Sequence, residues 1–326
     1  MNAVDHNNVV IFDDRGIPSI MCRFVRPKDT EEVPAVFKIG DKVADAIYIS
    51  KYPNIVIDGR AYSMPMADPT VNITFDEAVQ ACRCKGLGWH LMTAVEYEYL
   101  LNQSREKGTM PHGNTDWGKD YYHNEEQGKV SNLGRTYTGT GPVTWNHDHT
   151  PYGVSDLNGN VWEWLAGLRI KDGVIEFIPD NKAASPYCDL SKDSTEWQQA
   201  ETSKGPARAN VECGEITITD TVAADDYEPD YDGVRIEELE VKLSEIPQVL
   251  KDLGIIPDKR AEEEGKTYVY FDATEGEYLP FRGSAFNAAS GSGPSALNLY
   301  NPRSYSNDNI GFRSAFYEVN GKLITE

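Results

Sequence analysis

Gly153-Val-Ser-Asp-Leu-Asn-Gly-Asn-Val-Trp-Glu-Trp164 is the stretch on which the reading of the fold turns. Leu157-Asn-Gly-Asn160 is a turn signal, and the apolar run after it predicts a strand over residues 161–168. Trp162 and Trp164 could stack on a sugar, but large aromatics in a short central strand are read first as core. Asp156, Asn158 and Asn160 put three oxygen-bearing side chains into the turn, a chemistry that suits a hard cation such as calcium.

Two helices are predicted upstream of this stretch. Over 74–85, Phe75, Ala78, Val79 and Cys82 fall at helical spacing, and Thr74 with Glu77 fits a capping box. Over 93–103, Val95, Tyr99 and Leu100 line one face, and Thr93 with Glu96 fits a second box. The link 86–92 carries Trp89 and Leu91 and should be buried. Residues 1–66 hold short β-like runs at 9–12, 20–24, 35–39, 46–49 and 55–57, punctuated by Gly and Pro, and read as an N-terminal β-rich region. Residues 104–150 read as loop. Residues 185–232 are polar and irregular, with an acidic run at 225–232, and read as an insertion. A short helix is expected over 246–253, with Pro247 in its first turn and Gly254 after its end, and a strand over 268–271. No internal repeat is found.

Composition narrows the function. The chain has 326 residues and a formal net charge of −21. Phosphate binding needs clustered Lys and Arg, so nucleic acid is excluded as a partner, and anionic membranes are disfavoured. No run of about 18 apolar residues predicts membrane insertion. The start, MNAVDHNNVVIFDDRGIPSIM, lacks a basic region followed by an apolar one, so a non-secreted protein is expected. Cys22, Cys82, Cys84, Cys188 and Cys213 are odd in number and irregularly spaced, which argues against a disulfide framework and for a reducing compartment. His147-Asp148-His149 has no Cys or Glu at ligand spacing and is read as a polar turn rather than a metal site.

Three blocks occur in order. The first is Val71-Asn-Ile-Thr-Phe-Asp-Glu-Ala-Val79, continuing through Gly88-Trp-His-Leu-Met-Thr-Ala-Val-Glu-Tyr97. The second is the stretch 153–164. The third runs from Phe281-Arg-Gly-Ser284 to Asn309-Ile-Gly-Phe-Arg313. Over residues 65–316 this resembles the formylglycine-generating enzyme family of the C-type lectin fold, whose pattern includes a GNVWEW block and a closing RGGSW…GFR block. The resemblance implies an α+β C-type lectin fold of the formylglycine-generating-enzyme type, loop-rich, with two helices packed on small antiparallel sheets and with insertions. The domain would span 67–326. Relatives bind calcium near the second block, so the expectation is no cofactor, with a structural calcium as the one alternative that the resemblance leaves open. The lectin Glu-Pro-Asn sugar site is absent from the sequence.

The family contains both enzymes and binders. Its sulfatase-modifying enzymes use a pair of cysteines in the C-terminal part for copper-dependent oxidation. Here the last cysteine is Cys213, ahead of the third block, and thiolate chemistry requires thiols. The sulfoxide-synthase relatives use a His-rich iron site on an added N-terminal bundle, and neither bundle nor motif is found.

Residues 282–313 read RGSAFNAASGSGPSALNLYNPRSYSNDNIGFR and hold no Lys, Glu, Gln, Trp or Met. This segment resembles the variable region of diversity-generating retroelement target proteins, in which template adenines are randomised. An asparagine codon mutated at its first two positions yields Asn, Ser, Ala, Tyr, Asp, Gly, Phe and Leu, but none of the five missing residues. The same vocabulary dominates antibody paratopes, where Tyr gives rigid contact area and Ser and Asn give adaptable hydrogen bonds. The resemblance assigns Arg282, Gly283, Gly311, Phe312 and Arg313 to the frame. It assigns Ala285, Phe286, Asn287, Ala288, Gly291, Ala296, Asn298, Tyr300, Tyr305, Asn307 and Asp308 to the variable, ligand-binding set. Phe286 stands where the family has Trp, which leaves it between core and paratope. Alternation in a strand would turn Leu297 and Leu299 inward and Asn298 and Tyr300 outward. The function so implied is non-catalytic binding of a protein or glycan on a host cell surface, by a phage or prophage tail-tip adhesin or a bacterial cytoplasmic protein. Assembly into a homotrimer or a virion would fit it. The alternatives are an oxidoreductase of the formylglycine-generating type and an inert structural virion protein.

Overall fold

A computed structural model describes residues 6–222 and 227–323. Chain segments far apart in sequence meet in its first sheet. The order is His6–Phe12, Pro18–Val25, Ala46–Ser50, Ser314–Val319 and Lys322–Leu323, with His90–Leu91 also paired to Ser314–Val319. Ala46–Ser50 is buried along its whole length because a strand lies on either side of it. Ile47 and Ile49 lie opposite Tyr317 and Ala315 across the ladder. The β-like runs at 9–12, 20–24, 46–49 and 55–57 all fall within strands. The run 35–39 differs: after Pro34 it makes a 3-10 turn, Ala35–Phe37, and then a two-residue strand.

Both helices form with their capping boxes. Phe75–Arg83 starts at Thr74 and Ala94–Lys107 at Thr93, each threonine hydroxyl accepting the N3 amide while the N3 glutamate returns to the cap. The second helix runs four residues past the expected 103 and stops at Gly108, whose φ of 64° suits a residue without Cβ. Its buried face is not Val95 and Tyr99, which are half-buried, but Tyr97, Leu100, Leu101 and Ser104, joined by Glu96 and Glu98. Those glutamates obscured the periodicity. Glu96 is buried against His90 (2.9 Å) and Glu98 against Arg282 (3.0 Å).

The expected strand over 161–168 is two strands in two sheets. Trp162–Trp164 and Leu168–Lys171 are separated by a turn through Gly167, at φ 88°. Trp164 is core, edge-on to Phe75 and Phe281, with its indole N–H donating to the Ile73 carbonyl at 3.0 Å. Trp162–Trp164 belongs to a six-stranded sheet ordered Tyr231–Arg235, Tyr268–Asp272, Leu297–Leu299, Phe281–Arg282, Trp162–Trp164, Ile310–Phe312.

The segment 185–232 is not irregular throughout. Arg208–Glu212 and Glu215–Thr219 form a hairpin that joins Leu168–Lys171 and Val174–Phe177 in a third sheet. Val211, Ile216 and Ile218 enter the main core. Of the acidic run 225–232, residues 225 and 226 lie outside the described residues. The helix expected over 246–253 spans Gln248–Asp252, with Pro247 as its N-cap. No helix among the described residues is long and apolar enough to cross a membrane.

One ion pair locks the sheets to the loops. Arg313 is fully buried and pairs bidentately with Glu163 at 2.6 and 2.8 Å. Its remaining N–H groups donate to the carbonyls of Ser50, Lys51 and Ser155. Removing one partner of such a pair strands a buried charge. Glu163→Ala should cost about 3–5 kcal/mol and Glu163→Gln less, read as a lowered urea midpoint with an unchanged slope.

Candidate ligand-binding site

The two ends of the segment 282–313 grip the same strand from opposite sides. Arg282 pairs with Glu163 across one edge of Trp162–Trp164, and Gly311 pairs with Glu163 across the other. The frame residues are fixed by space as well as pairing. A Cβ on Gly283 would sit 2.6 Å from the Leu157 carbonyl oxygen, and one on Gly311 would sit 2.8 Å from that of Thr70. Arg282 donates to Glu98 and to the Ser295 carbonyl, and lies 5.1 Å from the Tyr97 ring centre. Arg105 bridges Glu98 and Glu264, and Glu264 accepts from Ser295. The segment therefore hangs between two buried guanidinium groups.

The expected variable set divides by burial. Ala285 and Ala296 are wholly buried, Phe286 is 2% exposed and Asn298 4%. Leu297–Leu299 is an interior strand covered on both faces, so the expected outward turn of Asn298 does not occur. The Asn298 carboxamide oxygen instead accepts from the Tyr300 amide and from Asn301. Phe286 packs edge-on to Trp117 at 5.0 Å and belongs with the interior. In this conformation none of these four meets a ligand.

Asn287, Tyr305 and Asn307 are exposed, and Ala288, Gly291, Tyr300 and Asp308 half-buried. Asn287 and Asn309 carboxamides approach to 3.5 Å, which ties the 287–291 turn to the 305–309 loop. Arg303 does not belong to the free face. It is committed to Glu277, Asp76 and the Leu190 carbonyl.

Residues outside the segment complete the surface. The Tyr122 hydroxyl donates to the Ser290 carbonyl, and the Trp117 amide to that of Phe286. Tyr231, Tyr300, Tyr270 and Tyr268 form a row of rings with centroids 6.1, 5.5 and 5.9 Å apart. A Cβ on Gly291 would lie 2.9 Å from the Tyr268 ring, so the row continues into the 287–291 turn. Burial, reinforced by its two tyrosine neighbours, pushes the Tyr270 phenol up to about 12, so it is a neutral donor at physiological pH. Sequence reasoning missed these aromatics because they sit outside the segment. Trp117, in the polar run Asn114-Thr-Asp-Trp-Gly118, was the legible signal. Beside the turn lies a recess of about 320 Å³ lined by His112, Tyr122, His123, Lys266, Ser292 and Pro294.

Other sequence candidates are spent on structure. His147 accepts the Val154 amide through Nδ1, and His149 Nε2 donates to the Met110 carbonyl. The calcium-like turn disperses: Asp156 accepts from the Gly139 amide, Asn158 joins Pro111 and Ser284, and Asn160 accepts from the Thr136 amide. Those donors do not converge on a cation, so they do not fit the calcium the resemblance left open. All five cysteines are free. Burial raises the Cys22 thiol to about 12 and the Cys188 thiol to about 11, away from reactive thiolate.

The description "sulfatase-modifying factor enzyme 1-like domain" matches residues 51–237, which hold the first two blocks but not the third. The formylglycine-generating enzyme of Mus musculus is 36% identical over 105 residues, covering 30% of this chain and 27% of that enzyme's length. Two solved structures are similar over most of the chain at low identity. PvdO from Pseudomonas aeruginosa aligns over 95% of this chain and 98% of its own, with 14% identity and a TM-score of 0.38. The Major Tropism Determinant U1 variant aligns over 98% and 74%, with 11% identity and a TM-score of 0.33.

Two outcomes follow from this geometry. Single changes of Asn287, Tyr305 or Asn307 to Ser, Asp or Gly should move stability by less than about 0.5 kcal/mol. Ala285→Tyr or Ala296→Tyr should cost about 1–3 kcal/mol through overpacking; thermal melts of the five sites distinguish the groups. Burial also raises the Asp156 carboxyl to about 6. Below about pH 4 it is protonated both folded and unfolded, and folding loses nothing. From about pH 4 to 6 the unfolded chain releases the proton first, so stability falls as pH rises, by roughly 3 kcal/mol once above pH 6. Asp156→Asn should remove that slope and stabilise the protein at pH 7.5, by denaturation at a series of pH values.

Proposed function

This chain belongs to the sulfatase-modifying factor enzyme 1-like domain family, and within it we propose that the chain is a non-catalytic binding member whose ligand face is built on residues 287–291 and 300–308. The observation that carries the reading is the segment's vocabulary: 32 residues without Lys, Glu, Gln, Trp, Met or Cys, in a chain otherwise rich in acid. Its exposed side chains are almost all neutral, which lowers the desolvation cost of covering them. Its thiol-free sequence offers no nucleophile for the oxidation performed by the sulfatase-modifying members.

The protein acts as a receptor-binding protein diversified by a retroelement, as a phage or prophage tail-tip adhesin, and its ligand is carried on a host cell surface. The fixed frame supports the reading physically. Buried Arg282 and Arg313 hold the ends, while the exposed positions between them make few contacts that a substitution would break.

The genomic neighbourhood tests it. A reverse-transcriptase gene and a near-copy of the 282–313 coding sequence, differing only at adenines, should lie beside the gene; a locus holding neither overturns the diversification. An assay with a Cys-containing sulfatase peptide and copper should give no formylglycine, and turnover there would establish the oxidoreductase instead.

A further inference from the structure

Trp117 combines three features that packing alone does not explain. It is 60% exposed. Its φ is +51°, the left-handed region that a bulky L-residue rarely adopts. Its loop is nevertheless rigidly tied to the fold. The Trp117 amide donates to the Phe286 carbonyl at 2.7 Å, and the Ala289 amide donates to the Thr115 carbonyl at 2.9 Å. Asn114 accepts the Gly118 amide and donates to the Gly134 carbonyl, and its own carbonyl receives the Asn160 amide. The indole rests edge-on against Phe286 and over Gly134, where a Cβ would come within 2.5 Å of it. One side of the ring is seated and the rest faces out. Strain maintained by surrounding structure and not relieved by burial is a mark of functional positions.

We propose that Trp117 is a fixed contact residue of the binding face, an anchor that inserts into a protein partner while the neighbouring replaceable residues set which partner is accepted. The inference rests on the reading of 282–313 as a diversified binding surface. That vocabulary contains no tryptophan, and asparagine codons mutated at their first two positions cannot produce one. The scaffold supplies the missing residue beside Asn287, the exposed head of the replaceable turn. Tryptophan is among the side chains that dominate binding energy at protein interfaces, at the centre of a patch ringed by weaker contacts. The surroundings favour a protein over a sugar. Val130 lies against Gly118, Leu133 precedes the Gly134 under the ring, and both are more than half or half exposed apolar side chains. The chain's charge of −21 favours a partner with a basic surface.

The test uses the full chain displayed with Asn287, Tyr305, Asn307 and Asp308 randomised by codons of that vocabulary, and lysozyme, a small basic folded protein, as the probe. Binders should emerge, and Trp117→Gly should weaken each by about 30-fold, the size expected of an interface anchor. Trp117→Phe should recover part of that loss. The same Gly variant should melt no lower than its parent, since glycine adopts this φ without strain; a purely structural tryptophan would show the reverse, a lower melting temperature with affinity kept. In a fluorotryptophan-labelled binder, the resonance that Trp117→Phe removes should shift on adding lysozyme. Binders that keep their affinity as Trp117→Gly, or a resonance that stays put, overturn the anchor and leave the binding face standing. A library that yields no binder overturns the binding face, and the anchor with it.

Discussion

Everything described above depends on one buried ion pair, Glu163 with Arg313. Taking two charges out of water is expensive, and a buried pair is seldom a net source of stability. What it supplies here is register. The guanidinium spends its donors on one carboxylate and on carbonyls of residues 50, 51 and 155, so four chain segments are aligned by one side chain. An apolar substitute of equal volume would deprive those buried carbonyls of this donor, leaving the Lys51 carbonyl with only the Ser155 amide. The second buried arginine, Arg282, performs the matching service through Glu98. Both arginines come from the ends of one segment, so its boundaries are held by buried ion pairs while Asn287, Tyr305 and Asn307 between them stay exposed.

Membership in a family that contains enzymes does not decide chemistry, because function resides in the site and not the fold. The site here presents phenols, carboxamides and one indole on a rigid frame. Such groups hold a surface by contact area and hydrogen bonds. On the proposed reading, the aromatics would supply strength of binding and the small exposed residues the choice of partner. The fixed tyrosines of Tyr231–Arg235 and Tyr268–Asp272 lie on neighbouring strands of the sheet that carries Leu297–Leu299, so their spacing is set by the ladder itself.

Much of this was legible in the sequence where local chemistry and global packing agree. Thr74 with Glu77 and Thr93 with Glu96 announced both helix starts, and Arg282 and Arg313 announced the frame. The failures have physical causes. The burial of Glu98 was not legible because its partner, Arg282, lies 184 residues further along the chain. The hairpin at 208–219 was hidden by its own composition: Arg208, Asn210 and Glu212 alternate with Ala209 and Val211, a half-buried pattern that looks polar when averaged. Asn298 looked like a surface residue because its strand alternates, but alternation says nothing about a strand with neighbours on both sides and cover on both faces. Trp117 was passed over because a single aromatic in a polar loop carries no period.

The pairing of Ala46–Ser50 with Ser314–Val319 has a consequence in time rather than space. These partners are separated by some 260 residues of chain, so the first sheet cannot close until Ser314–Val319 has been synthesised. The segment 282–313 leaves the ribosome just before that closing strand. A change at one of that segment's buried positions, such as Ala285 or Ala296, therefore acts while the sheet is still open, and a chain whose sheet fails to close is exposed to aggregation and proteolysis. The order of residues along the chain thus puts the packing of 282–313 ahead of the closing of the first sheet.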